Sequence, residues 1–151
     1  MLIIERDQKQ ISPSSSAVID ILHIDWYEVS KTVLSRQTEG GRLVRLYRAG
    51  APRLENGEMI YSSPELNIQI QIKPCTCIIL KTDDLNTIAH FSFDVGNRHL
   101  PLFWFEDEVV LAYDGQLFPA LKEQYGDRVL LDMRVLSPAF ALQNFGRTTV
   151  R

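Results

Sequence analysis

The chain has 151 residues, 45% hydrophobic and 23% charged, with 16 Lys plus Arg against 19 Asp plus Glu. That is the composition of a folded chain rather than a disordered one, and its length suits one ordinary domain or two small ones. A net charge of -3 and a pI near 5.6 argue against nucleic acid as a partner, because such a surface needs a broad basic field.

Residues 1–75 carry nine basic and nine acidic groups, whereas 76–151 carry seven and ten, so the net acidity lies in the second half. No apolar run approaches the roughly 18–20 residues that span a bilayer, so no membrane segment is expected. The opening MLIIERDQKQ reaches Glu5 after three apolar residues and lacks a basic n-region, unlike a secretory signal. Cys75 and Cys77, one residue apart, are poor disulfide partners, since an extended strand sets their Cα atoms roughly 6.5–7 Å apart. The simplest expectation is a cytoplasmic protein with reduced thiols.

In chain order, the first half reads as short strands. Val18–Val29 is a β-branched and aromatic run. Thr32–Thr38 and Arg42–Arg48 flank Glu39-Gly40-Gly41, which suits a hairpin. Asn56-Gly57 is a turn signal. From Asn67 to Lys73 the alternation is strict, with Ile68, Ile70 and Ile72 on one face and the glutamines on the other. Pro74, lacking a donor N–H, closes that strand. The expectation is a small antiparallel β domain over residues 1–74.

The second half changes character. Cys77–Lys81 reads as a strand, and Thr82-Asp83-Asp84 supplies an N-cap hydroxyl and two carboxylates for a helix N-terminus. Leu85, Ile88, Ala89, Ser92 and Val95 fall on one helical face, with Gly96 placed as the terminating glycine. His99–Glu106 and Val109–Tyr113 are two strands around an acidic turn. Gln116–Tyr125 is a second helix ending at Gly126, with Pro119 in its first turn, and Arg128–Val135 is a last strand. The β-α-β-β-α-β order over 75–136 is that of a ferredoxin-like domain, so the fold class is α+β. Residues 137–151 have no regular period and read as a tail.

Among the three histidines, His99 stands out because Gly96-Asn97-Arg98-His99 puts an imidazole at a helix-to-strand corner. By spacing alone, such a residue is more often a hydrogen-bonded surface or core histidine than a ligand. His90 and Asp94 form an i, i+4 pair on the first helix. Asp94 lies five residues before His99, where it could be a secondary ligand or an acceptor that fixes the ring. The bland alternative is an exposed helix pair. His23, close to Trp26 and Tyr27, reads as structural. Cys75 and Cys77 share a strand face and either bind a soft ion or act as small buried hydrophobes. Arg36, Arg42, Arg45, Arg48 and Arg53 form a basic set that would suit an acidic partner or an ordinary solvated sheet.

Gly96-Asn97-Arg98-His99 and the short apolar strand after it resemble the UreE family of urease accessory proteins, the nickel metallochaperones. Ile24-Asp25-Trp26, the Arg36–Gly41 hairpin, Leu54–Tyr61 and the β-α-β-β-α-β half extend the resemblance over most of the chain. It implies a peptide-binding-like N-terminal domain and a ferredoxin-like metal-binding domain through which two chains dimerise. It also implies that the motif histidine, here His99, faces its copy at the two-fold axis; His90 and Asp94 remain secondary candidates on their spacing alone. The implied cargo is nickel, with zinc or copper able to take its place. The implied partners are the urease apoprotein and the urease accessory proteins, including the GTPase. The chain departs from the family in having no histidine after His99. Leu111–Gly115 and the tail, with only Gln143 and Asn144 to offer, add no imidazole. One metal per dimer is therefore expected. A dimeric peptide-binding adaptor without metal delivery is the alternative from a different class, and an enzyme using the cysteine pair is a third. No phosphate loop, nucleophile–base pair or closed zinc motif points to an enzyme.

Overall fold

The computed structural model describes residues 1–5 and 16–142. The chain divides into two compact units, Met1–Lys73 and Pro74–Arg151. The first unit contains β1 (Leu2–Glu5), β2 (Val18–Ile24), β3 (Val33–Gln37), β4 (Leu43–Tyr47), β5 (Met59–Ser62) and β6 (Leu66–Ile72). They form two three-stranded sheets, β1-β4-β3 and β2-β6-β5. The expected β3–β4 hairpin is present as an antiparallel pair, with Leu34 opposite Leu46. Ile68, Ile70 and Ile72 are all buried in the core, as are Leu22, Ile24 and Ile60. The turn at Asn56-Gly57 uses the freedom of only one residue, Gly57, at φ +85°.

The unit is not an antiparallel domain. β1 runs parallel to β4, and β2 runs parallel to β6 along its full length, Val18 opposite Leu66 through Ile24 opposite Ile72. Alternation fixes which face a side chain takes but not the direction of the neighbouring strand, which the long connections decide. The Val18–Val29 run also breaks early, because Trp26–Glu28 is a 3₁₀ turn. There the Asp25 backbone N–H donates to the Glu28 carboxylate at 3.0 Å.

A buried carboxylate ties the hairpin to β2. Asp20, 4% exposed, accepts hydrogen bonds from Thr38 Oγ1 (2.5 Å), Gly40 N (2.9 Å), Arg42 Nη1 (2.8 Å) and Ile21 N (2.9 Å). Gly40 is required by that approach, since a Cβ there would sit 2.7 Å from Arg42 Nη1 and 2.9 Å from Asp20 Oδ2. Burial alone would raise the Asp20 pKa, but the four donors outweigh it and hold the carboxyl below its usual range.

The second unit contains β7 (Cys75–Leu80), α1 (Leu85–Gly96), β8 (Leu102–Phe105), β9 (Glu108–Ala112), α2 (Leu117–Tyr125), β10 (Val129–Arg134) and β11 (Ala141–Leu142). The sheet order is β10-β7-β9-β8-β11 with every pair antiparallel, so the mixed strand-and-helix content is that of an α+β protein. Ile78, Leu80, Val109, Leu111 and Val129 of the sheet pack with Phe91 and Val95 of α1 and with Leu117 and Leu121 of α2. The segment expected to be an aperiodic tail begins instead with a 3₁₀ turn at Pro138–Phe140 and then β11, which adds an edge to β8. Such a two-residue strand is too short to carry a period. Gln143 and Asn144 lie outside the described residues, as does the opening segment beyond Glu5.

Three local expectations for the helices shift. The α1 N-cap is the Asp84 carboxylate rather than a hydroxyl, accepting from Asn86 N at 3.3 Å and from Thr87 Oγ1 at 2.6 Å. The buried face is Thr87, Phe91 and Val95, while Leu85 is 78% exposed and Ala89 is exposed. The large Phe91 ring takes the inward position and meets the Tyr125 ring edge-on at 5.2 Å. Gly96 does not terminate α1 by a left-handed turn; it is the last helical residue, and Asn97 after it still has φ -65°.

Candidate metal centre

The positive φ that follows α1 falls on His99, at +59°. Past the helix, Arg98 N donates to Val95 O and His99 N donates to Gly96 O, each at 3.0 Å, which tightens the chain through His99. Pro101 then delays the strand to Leu102, so His99 belongs to a turn and not to the strand expected to begin with it. Histidine tolerates the left-handed region better than most side chains. His99 is exposed, and its ring makes no hydrogen bond or ion pair among the described residues.

Asp94 is turned toward α2. Its Oδ2 accepts from Tyr125 Oη at 2.8 Å and from Gln124 Nε2 at 3.3 Å. Burial, and next the Asp94 carboxylate, push the Tyr125 hydroxyl up to about 12, so it stays protonated and donating. These partners lie some thirty residues from Asp94 in sequence, and no local pattern announces them. A shallow groove of about 390 Å³ runs between the helices, lined by Asp94, Asn97, Arg98, Leu117, Ala120 and Gln124 among others. His90 is exposed on α1. The structure thus joins Asp94 to α2 and not to His99.

Among the described residues, no group of three or more His, Cys, Asp and Glu side chains lies close enough to hold a metal. The described residues therefore present His99 as an exposed imidazole outside any closed site.

The remaining candidates are placed as follows. His23 Nε2 lies 2.6 Å from Glu39 Oε1, which binds β2 to the β3–β4 turn and gives this ring a structural role. Cys75 and Cys77 sit side by side on β7 with sulfurs 3.7 Å apart, and neither is in a disulfide. Burial, and next the neighbouring Cys75, push the Cys77 thiol up to about 12. The arginines of the first unit are not one open patch. Arg36 pairs with Glu28, Arg42 with Asp20, and Arg45 donates to Ser35 Oγ at 3.0 Å. Arg48 is buried and donates to the Lys31 carbonyl at 2.9 Å and to that of Pro52.

These features define a two-unit α+β protein whose candidate ligand stands on an exposed turn. No protein-family model matches the chain. Curated relatives do. The chain is 31% identical over 103 residues to the urease accessory protein UreE of Acetivibrio thermocellus, covering 68% of this chain and 67% of that protein. It is 30% identical over 105 residues to UreE of Flavobacterium johnsoniae, covering 69% and 64%. To UreE of Haemophilus influenzae strain PittEE it is 37% identical over 106 residues, covering 69% and 57%. The matched region thus spans between about half and two thirds of these relatives. The chain belongs to the UreE family of urease accessory proteins. Such proteins assist urease and are not themselves enzymes.

Proposed function

We propose that the protein is a nickel carrier for urease maturation, holding one ion between two chains through His99 of each. The observation that carries this reading is His99 itself. In a member of this family it stands exposed on a left-handed turn, and its ring is committed to no partner among the described residues. A C₂ interface is isologous, so a residue on its axis meets its own copy and one imidazole becomes two. Neutral imidazole suits nickel, copper and zinc, and copper binds most tightly of these at a given site. Selectivity then rests on supply and geometry. Two protein ligands leave coordination positions open, which favours release to an acceptor.

The fold supports the same reading. Numbering the four strands β7 to β10 by chain order, their order in the sheet is 4-1-3-2 with two helices on one face, the arrangement of a ferredoxin-like domain. Residues 75–136 form that metal-binding and dimerising domain, and residues 1–74 a peptide-binding-like domain. Leu85, Ala89 and Phe93 recur every four residues and so form one exposed stripe on α1, with Phe93 68% exposed. That stripe is a suitable face for a second copy. Asp94 and His90 are at most secondary ligands. The partners are the urease apoprotein and the other urease accessory proteins, including the GTPase, met in the cytoplasm. No helix among the described residues is long and apolar enough to cross a membrane.

The test is calorimetric titration of nickel into the purified protein. About one tight site per two chains is expected, lost in His99→Ala with self-association intact. The titration is run in a Cys75→Ser background so that imidazole alone is read, and tight stoichiometric binding that survives there in His99→Ala refutes the assignment.

A further inference from the structure

We propose that Cys75 and Cys77 form a second metal site, a two-thiolate chelate for a soft ion of zinc type, separate from His99. A tetrahedral ion bonded to two thiolates at about 2.3 Å sets their sulfurs about 3.8 Å apart. The observed separation is 3.7 Å, so chelation needs almost no movement. A linear two-coordinate ion would need about 4.6 Å at the same bond length, and a disulfide needs about 2.05 Å. The spacing, which without a metal is that of a thiol–thiol hydrogen bond, therefore fits a bent chelate better than a linear ion or a disulfide.

The backbone holds that spacing. Cys77 lies within β7 between two strands, opposite Asp132 of β10 and opposite Ala112 of β9, and is fully buried. Cys75 begins the strand and is only half-buried, which leaves an approach for the ion from that side. Both sulfurs lie on the sheet face opposite Ile78 and Leu80, which pack under the helices, so the site is remote from the helical core. Among the described residues no further Cys, His, Asp or Glu completes the set, so the other coordination positions belong to water or a small thiol from solution. Two thiolates favour a soft ion over the harder ions that carboxylates take. The chain then has two chemically distinct sites, imidazole at His99 and thiolate at Cys75 and Cys77.

Cobalt(II) added under reducing conditions to the full-length His99→Ala protein tests this directly. About one cobalt per chain is expected, with a thiolate-to-cobalt charge-transfer band that equimolar zinc removes. Cys75→Ser should lose the band, and it is the decisive variant because that half-exposed position tolerates serine even if Cys77→Ser fails to fold. In the Cys75→Ser protein carrying native His99, the one nickel per two chains that depends on His99 should remain, which separates this site from the imidazole one. The absence of a charge-transfer band, or its persistence in Cys75→Ser, overturns the proposal. So does a mass lower by two hydrogens in the reduced sample, which would mean a disulfide.

Discussion

His99 carries two separable properties, a backbone conformation and a ring. A left-handed residue other than glycine costs about 1 kcal/mol or more, so His99→Gly should be more stable than His99→Ala by about 1 kcal/mol in urea unfolding. Both variants should lose nickel alike. Equal stability of the two would mean that the turn is not held at positive φ. Asp20 offers a second residue-scale test in the N-terminal unit. A carboxylate whose folded pKa is depressed contributes stability that is complete above its unfolded value, near 3.8, and is lost as the pH falls through the lower folded value. Urea unfolding across the acid range should show the wild type losing stability below about pH 4, with that component missing in Asp20→Asn. At neutral pH Asp20→Ala should cost about 2–4 kcal/mol, because Thr38, Arg42 and two backbone N–H groups lose their acceptor together.

Elements differ in how far their sequence announces them. The β8–β9 hairpin turns on Glu106 and Asp107, both at positive φ (49° and 62°), with Phe105 opposite Glu108. That is the conformation Asn-Gly prefers. The double substitution Glu106→Asn with Asp107→Gly should therefore stabilise the protein by about 1 kcal/mol in thermal unfolding. Strands with clean alternation, such as Asn67–Lys73, are legible because burial follows a two-residue period directly. Parallel pairing of β2 with β6 is not, since the partner lies more than forty residues away and pattern carries no direction. Apolar periodicity misplaces the face of α1 because it ranks Leu85 with the core positions, whereas Leu85 follows the Asp84 cap and is left exposed. His99 is legible as a corner residue but not as a turn residue, since Pro101 moves the strand start beyond it. Asp94 is bound by Tyr125 and Gln124, a contact between two helices that only tertiary packing creates.

For the whole molecule, sharing one ion requires two copies to meet near the C-terminal end of α1. Phe93→Asp places a charge in the exposed stripe and should weaken self-association in sedimentation experiments while leaving the circular dichroism spectrum unchanged. The buried position two residues earlier provides the contrast: Phe91→Ala should cost about 3–5 kcal/mol of stability. Whether a single ion is shared by His99 of two chains is best decided by native mass spectrometry of mixed dimers. Chains with native His99 and His99→Ala chains of different mass, both in a Cys75→Ser background that removes the thiolate site, are combined, and nickel occupancy is read on each dimer species at limiting metal. A shared ion should give one nickel on the dimer with native His99, none on the His99→Ala dimer, and occupancy of the mixed dimer close to the latter. Mixed dimers that hold nickel as well as the dimer with native His99, or one nickel on each chain, would rule sharing out.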